Sequence, residues 1–272
     1  AFKYILEKKE LCINDGELIV GEKGNSPKAT PTYPELCIHS KDDLEILNNR
    51  EKVWFKSSQE TREIILNEVA PFWNGKSIRE KILTEVDEDW RNAYKAGIFT
   101  EFMEQRAPGH TVGDDKIYKK GMLDFINEIE AAIGKLDFHN DVEALDKREQ
   151  LIAMKIAAES IIIYGKRYSE KLNELASAEK NPQRKNELEA MAGICGRVPA
   201  NAPRTMWEAL QFYWFVHLGV TTELNTWDSF NPGRLDQHLY PFYKRDIESG
   251  LLTDEQVREL LQSFWIKFNN QP

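Results

Sequence analysis

Apolar residues recur at helical spacing along most of the chain, and this pattern predicts a predominantly helical protein. One clear run contains Trp90, Tyr94, Ile98, Phe99, Phe102 and Met103. Pro108 ends that run, because a proline disfavours helix at the residue before it. A longer helical pattern extends from Val142 to about Lys180 and stops at Asn181-Pro182. The sequence shows no internal repeat and no low-complexity segment.

Helix starts are marked by a capping residue followed, three positions later, by an acidic or amide side chain. Such pairs occur at Ser40 with Asp43, Ser57 with Glu60, Thr84 with Asp87, and Thr253 with Gln256. Each pair predicts that a helix begins at its first member.

Leu18, Ile19 and Val20 form the best strand candidate, because turn-forming Asn-Asp-Gly and Lys-Gly-Asn sequences bracket them. We expect strand to be confined to a few short segments of this kind. A sheet of more than about a quarter of the residues would contradict this pattern.

Two helices of the last third are apolar over wide faces. The first follows Pro203 and carries Met206, Trp207, Ala209, Leu210, Phe212, Tyr213, Trp214, Phe215, Val216 and Leu218. The second carries Val257, Leu260, Leu261, Phe264, Trp265 and Phe268. Helices of this kind need neighbouring protein on most sides. A chain of 272 residues can be too short to supply such neighbours for both helices.

Composition narrows the class of protein. With 272 residues, 41% hydrophobic and 11% aromatic, the chain can bury a large core as one large domain or two small ones. The net charge is −9 without a basic face, which argues against nucleic acid and membrane surfaces as partners. Small neutral or zwitterionic ligands fit better. Apolar runs fall far short of a membrane span, and the start is not a signal peptide, so we expect a cytoplasmic protein.

Three cysteines, Cys12, Cys37 and Cys195, stand far apart without CxxC or zinc-site spacing. They indicate reduced thiols and no metal site. Cys195 has no neighbouring His or Glu to activate it, which favours an inert buried thiol over a nucleophile.

The ends of the sequence suggest a fragment. The chain starts at Ala1 instead of a methionine, and it stops at Pro272 directly after an amphipathic run. A complete protein more often ends in a polar tail or a capped helix.

Few residues carry candidate chemistry. His110 stands in the loop sequence RAPGHTVGDD beside Asp114, where it is either a hydrogen-bond donor or general acid, or a cap of the next helix together with Asp114. Asp228 is either a turn former or the acid of a pocket. Arg234 and Asp236 either fix their loop or bind a carboxylate. Taken one at a time, all these residues fit the structural role better, as do His217 and His238.

Taken together, four segments resemble the glycyl radical enzymes of the pyruvate formate-lyase-like superfamily. They are NDGELIVG, RAPGHTVGDDKIYKKG, ICGRVPANAPRTMWEALQFYWFVHL and DSFNPGRLDQHLYPFYKRDIESGLLTDEQVRELLQSFWIKFN. Within the superfamily the chain is most similar to the trans-4-hydroxy-L-proline dehydratase branch. The resemblance implies that residues 1–272 are the helix-rich N-terminal portion of an α/β enzyme, whose ten-stranded barrel consists of two half-barrels wrapped by helices.

The resemblance also implies a substrate site. It places Phe102 on the wall of the active-site cavity and His110 and Asp228 as polar groups that hold an amine or a hydroxyl. Glycerol dehydratases resemble this chain at His110 but tend to have a small hydroxyl residue where Asp228 stands.

The implied reaction removes a hydrogen atom from the ring carbon next to nitrogen and then eliminates water, giving a pyrroline carboxylate. The chain contains no counterpart of the family's reactive cysteine motif or glycyl loop, so both would lie beyond Pro272 and this fragment alone is expected to be inactive. The resemblance further implies no bound cofactor, a radical installed by a radical S-adenosylmethionine activating enzyme, and a homodimer at full length.

Two alternatives remain open. One is another glycyl radical enzyme, such as a glycerol or diol dehydratase, choline lyase, arylacetate decarboxylase or formate acetyltransferase. The other is a non-catalytic helical module derived from the family. The gene beyond Pro272 separates them, because only the enzyme requires the downstream cysteine and glycine motifs.

Overall fold

The computed structural model describes residues 1–29, 32–52, 54–98, 113–223 and 230–270, and these ranges are mostly helix joined by short turns. The helices are α1 Phe2–Lys8, α2 Lys41–Asn49, α3 Gln59–Ile64, α4 Ala70–Trp73, α5 Ile78–Glu85, α6 Glu88–Lys95, α7 Met122–Ile133, α8 Ala144–Ala178, α9 Pro182–Arg197, α10 Met206–Glu223, α11 Leu235–Glu248 and α12 Asp254–Asn270. A π-helical turn, Ile65–Val69, joins α3 to α4, and a 3₁₀ helix spans Asp114–Tyr118. The predicted predominance of helix is confirmed.

The predicted strand at residues 18–20 is wrong: these residues are buried, but no strand occurs in the described ranges. Side chains of α10 take the place of a neighbouring strand. The Gln211 amide accepts a hydrogen bond from the Val20 N–H and donates one to the Val20 carbonyl, both at 2.9 Å. The Trp207 indole donates to the Leu18 carbonyl at 2.7 Å. The buried backbone is therefore satisfied without a ladder.

Two of the predicted helix starts are confirmed. Ser40 and Asp43 form a reciprocal capping box at the start of α2. Before α12, the Gln256 side chain accepts from the Thr253 N–H at 2.9 Å, and the Thr253 hydroxyl accepts from the Gln256 N–H at 3.3 Å. Both pairs satisfy N–H groups that a helix leaves free in its first turn.

The other two starts are displaced. The N-cap of α3 is Ser58, whose hydroxyl accepts from the Thr61 N–H, whereas the Ser57 N–H is bound by Asn48 of α2. Before α6, the N-cap is Asp87 itself. Thr84 still belongs to α5 and donates its hydroxyl to a carbonyl of that helix. Hydrogen bonds to the preceding helix thus decide which polar residue caps the next one.

The long helical pattern forms α8, which has 35 residues and ends at Ala178, and α9 then returns beside it. Asn181 caps α9 by accepting from the Gln183 and Arg184 N–H groups, and Pro182 occupies the first helical position. The Asn-Pro pair therefore stops one helix and starts the next.

The apolar helix α10 is buried around its whole circumference, as its sequence predicts. Its neighbours come from both sides along the chain. Phe215 contacts Tyr164 of α8 with ring centroids 5.7 Å apart, and Trp214 contacts Phe264 of α12 at 6.2 Å. This helix is the centre of the main hydrophobic core.

The final helix α12 is covered on one face only. Val257, Leu260 and Phe264 are buried against the core, whereas Trp265 and Ile266 are 52% and 58% exposed. The described residues thus supply neighbours for all of α10 but for only part of α12.

Candidate functional site

The three predicted substrate-binding residues, Phe102, His110 and Asp228, lie outside the described residues. Their shared cavity stays a prediction. The structure does describe the chain on both sides of each of them, so the surroundings of the site can be built from residues 113–118, the end of α10 and the start of α11.

The chain that follows His110 meets the helix that follows Asp228. Residues 114–118 form the 3₁₀ helix, and the Asp114 carboxylate lies 3.4 Å from Nε2 of His238 in α11. Gly113 occupies the N-cap position of the 3₁₀ helix without a capping side chain. The alternative that Asp114 serves as a helix cap is therefore not what the structure shows.

The Tyr118–His238 junction, which we define as the rings of Tyr118, His238 and Phe242, connects these two elements. Tyr118 stacks on His238 with centroids 5.1 Å apart and planes 19° apart, and its ring lies 6.4 Å from Phe242. Burial raises the pKa of the Tyr118 hydroxyl above its usual value, so the group stays protonated near neutral pH. At this position Tyr118 can donate a hydrogen bond but cannot act as a base.

Two buried polar atoms of this junction have no hydrogen-bond partner among the described residues. They are the Tyr118 hydroxyl and Nε2 of His238. Buried polar atoms rarely stay unpaired in native proteins. The region can therefore accept further hydrogen-bonding groups.

The C-terminal end of α10 is held from outside by Tyr33. Its hydroxyl lies 3.1 Å from the Thr221 carbonyl and 3.2 Å from the Thr222 carbonyl. Burial raises the pKa of Tyr33 to about 12, so the hydroxyl remains a donor to these carbonyls, which lack partners within the helix. This contact fixes the point at which the chain leaves α10 toward Asp228.

His217 is an interior histidine with a partner, as the sequence analysis favours. Its Nδ1 lies 3.2 Å from the Tyr213 hydroxyl, and its ring stacks on Trp214 at 5.0 Å. Burial, followed by the nearby Lys23 ammonium, lowers the pKa of His217 to about 3. The ring is neutral at physiological pH and is unsuited to act as a general acid.

A buried network of charges near the N-terminus escaped the sequence analysis. The Lys267 ammonium of α12 lies 2.5 Å from Glu17 and 2.8 Å from Glu22, and these side chains are 2%, 11% and 1% exposed. Amide groups of Asn14 and Asn270 donate to the same carboxylates. Only the fold brings these residues together, since Glu17 and Lys267 lie 250 positions apart.

Two further lysines lie beside this network, Lys23 buried and Lys9 partly buried. Lys9 donates to the Glu22 and Lys23 carbonyls at 3.0 and 2.9 Å, and burial lowers its pKa to about 8. Burial and the Lys9 charge lower the pKa of Lys23 to about 7. These groups occupy the interior of the N-terminal region.

The cysteines agree with the sequence analysis. All three are free, Cys195 is buried, and burial raises its pKa well above the usual range. The predicted burial of Cys195 is confirmed, and its raised pKa agrees with an inert thiol. Burial also raises the pKa of Cys12 to about 11, which keeps it protonated at neutral pH.

Arg234 and Asp236 stand at the start of α11, and both are exposed. Arg234 directly precedes the helix, and Asp236 lies in its first turn, where a carboxylate favours the helix dipole. This position agrees with the structural role that the sequence favours for both residues.

The described ranges contain neither a metal-binding cluster nor a membrane-spanning helix. Within residues 1–29, 32–52, 54–98, 113–223 and 230–270, no group of three or more His, Cys, Asp or Glu side chains could hold a metal ion. None of the helices in the same ranges is long and apolar enough to cross a membrane.

Known proteins resemble the chain over its whole length. Trans-4-hydroxy-L-proline dehydratase of Clostridioides difficile is 53% identical over 272 residues, which are 100% of this chain and 34% of that protein. A structure of hydroxyproline dehydratase from the same organism, with trans-4-hydroxy-L-proline bound, matches with a TM-score of 0.91 at 54% identity and covers 100% of this chain and 34% of that one.

A more distant structure is the glycerol-bound B12-independent glycerol dehydratase of Clostridium butyricum. It matches with a TM-score of 0.85 at 32% identity, covering 100% of this chain and 34% of that one. The chain thus spans about a third of the length of these relatives. A family model described as pyruvate formate lyase-like matches residues 1–272. The chain belongs to the pyruvate formate lyase-like family.

Proposed function

We propose that the chain is the N-terminal portion of a glycyl radical dehydratase that eliminates water from trans-4-hydroxy-L-proline to give a pyrroline-5-carboxylate. The observation that carries this proposal is the similarity to hydroxyproline dehydratase along every part of the chain, at 53% identity. The glycerol enzyme is much less similar, which favours hydroxyproline over a diol as the substrate.

The geometry around the predicted site supports this proposal. His110 lies three residues before Gly113 and Asp228 two residues before Phe230, so their Cα atoms lie within about 11 and 8 Å of described backbone. The chain after each residue runs into the Tyr118–His238 junction, where the Asp114 carboxylate and His238 Nε2 are 3.4 Å apart. An arrangement in which His110 and Asp228 hold one small substrate is compatible with these constraints.

In the proposed reaction, Asp228 and His110 bind the amine and the leaving hydroxyl of the substrate, and Phe102 supplies an apolar wall. One of the two polar groups donates a proton to the leaving oxygen as the carbon–oxygen bond breaks, so that the oxygen departs as water. The Asp228 carboxylate can also form a charge-assisted hydrogen bond to the substrate amine.

The groups that carry the radical lie outside this chain. Beyond Pro272, a reactive cysteine and a radical-bearing glycine remove a hydrogen atom from the ring carbon next to nitrogen. A radical S-adenosylmethionine enzyme installs the radical, and no other cofactor is bound. The helices described above would wrap one side of an α/β barrel in a cytoplasmic homodimer, and the 272-residue chain alone would be inactive.

The test uses the full-length enzyme with the radical installed by its activating enzyme and quantified by electron paramagnetic resonance. Trans-4-hydroxy-L-proline and glycerol are then assayed side by side, and we expect turnover of hydroxyproline only. Preferential turnover of glycerol would assign the enzyme to the diol dehydratases instead. Turnover of neither substrate by an enzyme that carries the radical would reject both assignments.

A further inference from the structure

The Tyr118–His238 junction joins the segment that follows His110 to the helix that follows Asp228. Tyr118 belongs to the 3₁₀ helix and His238 to α11, and 120 positions separate them in sequence. Their rings nevertheless stack at 5.1 Å with nearly parallel planes. Asp114, which lies between His110 and Tyr118 in the sequence, is held by the same histidine. Its carboxylate lies 3.4 Å from Nε2 of His238.

His238 has two separable contacts in this junction. Its ring plane packs against Tyr118, which is 7% exposed, and its Nε2 faces the Asp114 carboxylate. That nitrogen is buried and makes no hydrogen bond of good geometry to the described residues. The ring thus serves as a packing surface for Tyr118, and its Nε2 lies within ion-pair distance of the Asp114 carboxylate.

A site that holds a small substrate with groups from two distant segments depends on the spacing of those segments. A displacement of about 1 Å can lower the rate of a reaction by roughly a hundredfold, because binding and reacting atoms lose their alignment. The supporting contacts behind the substrate-binding groups set that spacing. Among the described residues, the junction is where the segment after His110 meets the helix after Asp228.

We infer that His238 is a positioning residue: through Tyr118 and Asp114 it sets the spacing between the segments that carry His110 and Asp228. In this role it acts through its contacts with Tyr118 and Asp114 and not through a contact with the substrate. The inference rests on the proposed function, and it adds a residue that decides how well the site distinguishes the orientation of the substrate hydroxyl.

The test measures binding to the full-length enzyme without the radical, by calorimetry, for trans-4-hydroxy-L-proline and for its cis-4 epimer. The ratio of the two dissociation constants reports the placement of the groups that meet the hydroxyl. A loss of folded protein lowers both bound amounts together and leaves this ratio unchanged. A merely structural role of His238 would therefore not alter it.

Three variants divide the contacts. His238→Ala removes the ring and the nitrogen, His238→Phe keeps a stacking ring, and Tyr118→Phe keeps the ring but removes the unpaired hydroxyl. We expect the dissociation constant of the cis epimer divided by that of the trans epimer to fall about tenfold or more in His238→Ala. In His238→Phe this ratio should fall by a smaller factor. Tyr118→Phe should keep the ratio, because the stacking ring remains. If His238→Ala does not fold, His238→Phe decides the question.

His139→Ala is the matched control, because His139 is an exposed histidine on the connection between α7 and α8. It should keep the ratio of the unmodified enzyme. An unchanged ratio in the folded His238 variants would overturn the inference. Failure of the unmodified enzyme to prefer the trans epimer would instead count against the proposed function, so the two failures are distinguishable.

Discussion

At the scale of single residues, the interior of the N-terminal region is unusual for the charge that it buries. Lys267, Glu17 and Glu22 form a three-membered ion cluster, and one oxygen of Glu22 has no hydrogen-bond partner among the described residues. A buried charge is tolerated only with close partners, since removing one partner leaves the others uncompensated. The cluster therefore fixes the loop before residue 24 to the last helix.

Replacing Lys267 with Met should lower the free energy of unfolding by about 3 to 5 kcal/mol, because two buried carboxylates lose their cation. Denaturant unfolding of the variant and the unmodified protein measures the difference. Lys155→Met is the matched control: Lys155 is 33% exposed and pairs with Glu130 at 2.6 Å on the surface. That surface pair should contribute far less than the buried cluster, because solvent screens it. Equal effects of the two substitutions would refute the importance of burial.

The second residue-scale prediction concerns Asp228 in the proposed reaction. Asp228→Asn keeps the shape of the side chain but removes its charge and its acid–base capacity, so turnover of hydroxyproline should fall on the order of a hundredfold or more. Asp228→Ser should not restore turnover, because a hydroxyl cannot make the same charge-assisted bond to an amine.

Steady-state assays of the full-length enzyme measure this loss, and the radical content, read by electron paramagnetic resonance, should stay the same. Full activity of Asp228→Asn would show that the acid is a turn former.

At the scale of elements, α7 is docked through its first turn. The Met122 and Leu123 N–H groups donate to the Pro199 and Ala200 carbonyls at 2.9 and 3.0 Å. This docking needs a glycine at position 121, because a Cβ there would lie 2.3 Å from the Ala200 carbonyl oxygen. The backbones thus approach as closely as only glycine permits.

Gly121→Ala should therefore destabilise the protein by roughly 2 kcal/mol or more, since backbone atoms rather than a flexible side chain must move. The melting temperature reports the effect. Gly134→Ala, at the other end of the same helix, is the control, because its Cβ would have no contact closer than 3.6 Å and its φ is −65°. Alanine at 134 should be neutral or slightly stabilising. A tolerated Gly121→Ala would contradict the described docking.

The N-terminal loop is attached to α10 through a side chain that imitates a strand. Gln211→Leu would leave the Val20 N–H and carbonyl without their partner, and two unpaired buried backbone groups should cost about 2 to 4 kcal/mol. Gln183→Leu is a suitable control, since the Gln183 side chain makes, among the described residues, only an exposed 3.2 Å hydrogen bond to Glu187. Unfolding measurements should show a large loss for Gln211→Leu alone. Comparable losses would argue against this attachment.

At the scale of the whole molecule, the buried lysines make stability depend on pH. Burial lowers the pKa of Lys23 from 10.5 to about 7, so between those values the unfolded chain binds more protons than the folded one. Stability therefore rises with pH through this window, and below about pH 7 the buried charge destabilises the protein fully. Lys9, with a pKa near 8, acts in the same direction over a narrower range.

Lys23→Met should accordingly stabilise the protein near pH 6 by on the order of a few kcal/mol, and the gain should shrink as the pH approaches 10. Unfolding free energies at several pH values test this dependence. Lys185→Met, at an exposed position of α9, should show no such trend. A gain in unfolding free energy that is the same at every pH would mean that Lys23 affects stability through its packing and not through its charge.

The sequence by itself determined the helical character of this protein, the burial of α10 and several helix starts, because periodicity and capping are local properties of the chain. It also pointed to the family through residues in the last third. It did not determine that residues 18–20 form no strand. Their backbone groups bind the side chains of Gln211 and Trp207, about 190 positions away. Local pattern cannot distinguish a ladder from such contacts.

The tertiary structure alone decided which polar residues meet. Lys267 contacts Glu17 and Glu22 across almost the entire sequence, and His238 contacts Tyr118 although four helices, α7 to α10, lie between them in the chain. The spacing of these residues in sequence carries no signal of their contact, because the packing of α8, α10 and α12 sets the distances. The contacts that join the segments of the proposed substrate site therefore depend on the fold.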